Sequence, residues 1–143
     1  MRLFALAIVL PIVLLPAAGC GGGDPSPESV VRAWSEALNT GDDEAAADLF
    51  APGAEVIQGD ARGRLQTRAD AVLFNRSLPC SGRIVRVESD GDGVTATFLL
   101  GDRPRSACDA PGVEVRAFFR VAGGKITLWH QLPGSSADPG PSV

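Results

Sequence analysis

The sequence predicts an α+β domain in which N-terminal helices pack on one side of a curved, mainly antiparallel sheet. Three observations lead there. Apolar residues recur at helical spacing up to about residue 78, then switch to alternation from residue 83 onward. Helices gathered first and strands second make two segregated layers, not alternating units. A chain of 143 residues is long enough for one domain with its own core.

Ser26-Pro27-Glu28 opens the first helix, with Ser as N-cap, Pro in the first turn and an acid at the positive helix end. Val30, Trp34 and Leu38, with Val31 and Ala37, form its apolar stripe until Gly41 closes it. Asp42 starts a second short helix, which runs through Ala45, Ala46 and Leu49 and stops before Pro52-Gly53. Residues 54–58 read as a short strand. Thr67, with Asp70 as capping partner, starts a third helix through Ala71, Phe74 and Leu78, which Pro79 ends.

Residues 83–88 and 94–100 then flank the slightly long turn Ser89-Asp90-Gly91-Asp92-Gly93 as a hairpin. Residues 102–112, which hold Cys108, are a polar connection. Residues 113–121 alternate, with Val115, Ala117 and Phe119 on one face and Arg116, Phe118 and Arg120 on the other. Ala122-Gly123-Gly124 turns the chain into a last strand, residues 125–132. Residues 133–143 are Pro, Gly, Ser and Asp, the composition of a disordered tail.

The first twenty residues hold sixteen of the apolar side chains that bring the whole chain to 45% hydrophobic. Arg2, an apolar run from Leu3 to Leu15 and the small residues of Pro16-Ala17-Ala18-Gly19 have the three-part layout of an export signal. Pro11 and Pro16 interrupt the run, which falls short of the ~20 residues a spanning helix needs. Ala17-Ala18-Gly19-Cys20 resembles the lipobox of bacterial lipoproteins, although that family favours Leu where Ala17 stands. The resemblance implies removal of residues 1–19, lipid on the Cys20 sulfur, and attachment to the outer face of the cytoplasmic membrane in the cell envelope. Residues 20–27, with three glycines after Cys20, then form a flexible tether. With Cys20 committed to lipid, Cys80 and Cys108 remain as an even pair in an oxidising compartment, where a disulfide is expected.

The domain itself spans residues 28–132. Its opening words, Val30-Val31-Arg32-Ala33-Trp34 to Gly41-Asp42 and on to Leu49-Phe50-Ala51-Pro52, resemble those of the nuclear transport factor 2-like superfamily. That superfamily of cone-shaped domains includes SnoaL-like polyketide cyclases and ketosteroid isomerase relatives. Gly123-Gly124-Lys125-Ile126-Thr127-Leu128-Trp129 resembles the closing hairpin of its limonene-epoxide-hydrolase-like branch. The resemblance implies a ligand pocket between sheet and helices. Trp34, Phe74, Trp129 and Gln131 are the candidate lining residues, with the two tryptophans equally readable as core anchors.

The family's chemistry fits less well. Where the epoxide-hydrolase branch places a water-activating carboxylate, two residues past the Trp, this chain has Gln131, which cannot ionise. Residues 94–100 lack the ionisable groups expected on the central strand, and the chain has no Tyr for an isomerase-type oxyanion hole. Alternation turns His130, the only His, away from the face of Trp129 and Gln131. The expected role is therefore binding of a small apolar ligand or a partner protein without catalysis. The rival is an enzyme whose acid or base has moved, to Asp60, Asp70 or His130.

Other partners are narrowed by composition. A net charge of -4 argues against nucleic acid. Two Cys and one His do not complete a zinc set, and Asp42-Asp43-Glu44 is explained by a helix start, so no metal or other cofactor is expected. Phe118, on the polar face of its strand, is either a lone exposed aromatic or part of a homodimer contact on the outer sheet face.

Overall fold

The structure is a computed structural model that describes residues 21–134. Residues 1–20, on which the expected export signal and the Cys20 lipid site fall, and residues 135–143, most of the expected tail, lie outside the described residues. Among the described residues, no helix is long and apolar enough to cross a membrane.

Local capping chemistry sets the first and third helices. In α1 (Pro27–Thr40), Ser26 Oγ accepts from the Ser29 N–H at 3.2 Å. Gly41 ends it at a φ of 76°, a left-handed C-cap that a side chain would strain. In α3 (Arg68–Ser77), the capping box closes both ways: the Thr67 N–H donates to Asp70 at 2.9 Å, and the Asp70 N–H donates to Thr67 Oγ1 at 3.2 Å.

The second helix is shorter than its sequence suggests. α2 (Asp43–Ala47) stops before Leu49, whose carbonyl accepts from the Ile126 N–H at 2.8 Å. That capture by a distant strand starts β1 (Phe50–Gln58) four residues earlier than predicted. Pro52-Gly53, expected just beyond the end of the second helix, sits within β1 in an irregularity between Phe50 and Glu55. There Pro gives up no ladder donor and Gly53 takes a φ of 78°.

A further strand, absent from the predicted elements, follows as β2 (Ala61–Leu65). Only Leu65 of its five residues is buried, so it carries no apolar alternation. β3 (Ser81–Asp90) and β4 (Gly93–Gly101) pair from Ser81 with Gly101 up to Asp90 with Gly93. The turn between them is thus two residues, Gly91-Asp92, tighter than expected. β5 (Glu114–Ala122) and β6 (Lys125–Leu132) close the domain close to the predicted bounds.

The six strands lie in the order β2-β1-β6-β5-β4-β3. β1 and β6 are parallel; the other neighbours are antiparallel. Arg120 pairs with Leu128 but Val121 with Ile126, which leaves Thr127 as an extra residue in β6. This bulge lets Ile126 and Trp129, three residues apart, share the inner face. The helices cover that face, and Val31, Trp34, Ala46, Phe119, Ile126 and Trp129 meet in one buried core.

The expected disulfide is present between Cys80 and Cys108, which are 28 residues apart in sequence and 4.5 Å apart at Cα. It ties the start of β3 to the polar connection. Arg103 fixes the same connection from within, its guanidinium donating to the carbonyls of Asn75 at 2.7 Å and Leu78 at 2.9 Å and pairing with Asp43.

Candidate functional site

The inner face of β5 presents Val115, Ala117 and Phe119 in turn. Phe119 is fully buried and fills the core beneath α1. Ala117 is too small to do so, and a cavity of about 270 Å³ opens between the C-terminal half of α1 and the sheet. Trp34, Phe98, Ala117 and Trp129 form its apolar walls, while Cys80 and Asp109 line it from the disulfide side.

The walls are fixed by edge-to-face aromatic contacts, the arrangement that ring quadrupoles favour. Trp34 meets Phe98 at 6.1 Å and Phe119 at 5.3 Å, and approaches Trp129 at 6.5 Å. Phe74 packs on the far side of Trp129 at 5.2 Å and on Phe50 at 5.8 Å. It therefore supports a wall and is not itself among the lining residues.

The polar groups divide sharply. The Trp34 Nε1–H donates to Asn75 Oδ1 at 3.1 Å, and Asn75 is wholly buried. Ser35 Oγ donates to the Gly82 carbonyl at 2.8 Å. Trp129 Nε1 and Gln131 Oε1 are buried and have no hydrogen-bond partner among the described residues. Gln58, which pairs with Gln131 across the parallel β1–β6 ladder, also lines the cavity. The ionisable residues lining it are Asp109 and Arg116, both exposed. Cys80, Cys108 and Asp109 bring their ligand atoms within 4.8 Å of one another, but the two sulfurs are joined in a disulfide and offer no thiolate.

The SnoaL-like domain family matches residues 31–129. The chain belongs to this SnoaL-like family. Solved structures with the same fold include a nuclear transport factor 2-like protein of unknown function from Cytophaga hutchinsonii. It is 12% identical, with a TM-score of 0.62, over 77% of this chain and 91% of that one. A protein from Catenulispora acidiphila with a ketosteroid isomerase-like fold, solved in complex with trimethylamine, is 19% identical with a TM-score of 0.61, over 78% and 89%. A protein from Sinorhizobium meliloti, provisionally named a polyketide cyclase, is 20% identical with a TM-score of 0.56, over 73% and 94%. No curated protein matches the chain.

In this SnoaL-like domain, three of the four predicted lining residues, Trp34, Trp129 and Gln131, meet at one cavity. The residues considered for a relocated acid or base do not. His130 pairs with Phe118 and Ile57 on the outer sheet face. Asp60 is exposed in the turn between β1 and β2. Asp70 caps α3, and the Thr67 N–H holds its carboxyl below the usual carboxylate range. The other lowered carboxyls, Asp48 beside Arg68 and Asp92 beside Arg120, also lie away from the cavity.

Asn75 and Arg103 are structural groups whose roles only the fold brings out. Asn75 belongs to an Asn75-Arg76-Ser77 sequon, yet its complete burial closes it to glycosylation in the folded domain. Its position in the Ala71, Val72, Asn75 stripe of α3, a polar residue among buried ones, was the available signal. Nothing local marks Arg103, whose partners lie 25 to 60 residues away.

Proposed function

We propose that this SnoaL-like domain is a binding domain, which holds a small, largely apolar molecule in its cavity and performs no reaction on it. The observation that carries the reading is the lining itself: Trp34, Phe98, Ala117 and Trp129 surround the interior, and the ionisable Asp109 and Arg116 are exposed. General acid or base work needs an ionisable group within hydrogen-bond reach of the reacting atoms, and Gln131 supplies none. The proposal includes the address read from the leader: export, lipid on Cys20, and attachment to the outer face of the cytoplasmic membrane. It also includes a homodimer through the outer sheet face, where Ile57, His130, Phe118 and Thr95 stand in one cross-strand row.

An enzyme is the second reading, favoured by the names of neighbours such as the provisional polyketide cyclase. Its acid or base would be Asp109, the one carboxylate among the cavity-lining residues. Epoxide and polyketide-like substrates incubated with the protein separate the two. Binding without turnover is expected. Turnover that disappears in Asp109→Asn or Gln131→Ala would overturn the binding reading.

A further inference from the structure

The two tryptophans of the cavity differ in one respect. The N–H of Trp34 is already engaged by Asn75, so that ring offers a ligand only its apolar surface. The N–H of Trp129 is engaged by nothing among the described residues, although the residue is only 5% exposed. Two residues along the same strand, Gln131 Oε1 is buried and equally without a partner. Both side chains project from the inner face of β6 and both line the cavity. Their neighbours on β5 are Phe119 and Ala117, whose side chains carry no polar atom, and on β1 they are Val56 and Gln58, the last a second amide that lines the cavity. A donor and an acceptor thus stand two residues apart on one strand face of a largely apolar cavity, each desolvated by folding.

We infer that these two atoms form the polar seat of the ligand site, and that the ligand is a neutral apolar compound bearing a hydroxyl group. This rests on the binding reading above and adds the chemistry of the ligand. A hydroxyl oxygen accepts from the Trp129 indole while its proton goes to Gln131 Oε1, so one group satisfies both atoms. A pure hydrocarbon would leave both unpaired. An ether would satisfy Trp129 alone, and a carboxylate would set negative charge against the Gln131 oxygen. The apolar body lies against Trp34 and Phe98, in a space of about 270 Å³, enough for a two-ring compound.

The test titrates the purified full chain with naphthalene, 2-methoxynaphthalene, 2-naphthol and 2-naphthoate, which share one apolar body. The expected order is 2-naphthol, then the methoxy compound, then naphthalene, with the first and last differing by about tenfold or more. Gln131→Met should erase the advantage of 2-naphthol over the methoxy compound. Trp129→Phe should erase the advantage of the methoxy compound over naphthalene. Because each variant is judged by a ratio of affinities, a general loss of apolar contact does not disguise the result, and Gln131→Met stands alone if Trp129→Phe does not fold. Equal affinities for the three neutral probes would overturn the polar seat and leave the binding reading intact. Tightest binding of 2-naphthoate would place a donor at Gln131 and also overturn the seat. Failure of every probe to bind would overturn both.

Discussion

The indole N–H of Trp34 donates to the buried amide oxygen of Asn75 at 3.1 Å, joining α1 to α3 across 41 residues of sequence. The same asparagine sends its amide N–H toward the Asp43 carbonyl at 3.4 Å, and its own carbonyl accepts from Arg103. One side chain therefore locks the three helices around the back of the cavity. Asn75→Leu would remove the acceptor and leave the Trp34 donor buried and unpaired, a loss of about 1–3 kcal/mol in urea unfolding. Trp34→Phe in that background should cost less than it does alone, because the orphan donor leaves with the indole. Additive losses in that double-mutant cycle would show that the contact carries no coupling.

The disulfide is the second fastening of the cavity. Cys80 lines it directly, and Cys108 adjoins Asp109 and Ala110, which line it from the connection. Replacing both cysteines by Ala should lower unfolding free energy by ~3–4 kcal/mol on chain-entropy grounds. The affinity for an apolar probe such as 2-naphthol should fall with it, because the connection is freed at the cavity edge. Reduction of the native protein should lower its melting temperature in the same direction. Unchanged melting in dithiothreitol, with the bridge shown to be open, would contradict this.

How much of this was legible in sequence depends on how local the cause is. The Ser26 and Thr67 caps, the Gly41 stop and the alternation of β5 are decided within a few residues, and the structure keeps them. The end of α2 is decided by Ile126, some eighty residues away, and helical spacing carried the reading past it. β2 is an edge strand with one buried side chain, so alternation had nothing to register. In the cavity, Trp34, Trp129 and Gln131 were readable from their place in a family pattern. That Phe74 stands behind Trp129 and not beside it is set by packing alone. The unpaired state of Trp129 Nε1 is invisible in sequence, since it depends on what β5 and α1 fail to offer.

Acid should loosen α3 through its cap. The Asp70 carboxyl is held below its usual range, chiefly by the Thr67 N–H, so it stays ionised in the folded state where the unfolded chain would bind a proton. Its contribution is therefore complete above the unfolded value of ~3.9 and is lost as pH falls through the lower folded value. Asp48 and Asp92, lowered by their arginine partners, act in the same direction. Unfolding measured from pH 6 downward should show stability declining below about pH 4. Asp70→Asn should be less stable at pH 6 and show a shallower decline. An identical slope in the variant would remove Asp70 from the account.

The lipid proposed on Cys20 carries a prediction about orientation as well as attachment. The described chain enters at Gly21, and Pro25 lies against the β5–β6 turn, where a Cβ on Gly124 would come within 2.9 Å of it. The cavity is lined by Val113 and Val115 at the opposite end of β5 and by Gln131 near the end of β6. A strand of nine residues separates the two ends by ~30 Å. An anchor reaching the domain beside Gly124 thus leaves the cavity at the far end from its point of attachment, so a ligand would come from the aqueous side. Cys20→Ser should move the protein from the detergent phase to the aqueous phase in a phase-partition experiment and abolish incorporation of radiolabelled palmitate. It should also leave probe affinity within about twofold of the lipidated form, a difference of ~0.4 kcal/mol. Retention of the label in Cys20→Ser would reject the lipid site, and a large drop in affinity on its loss would reject an outward-facing cavity.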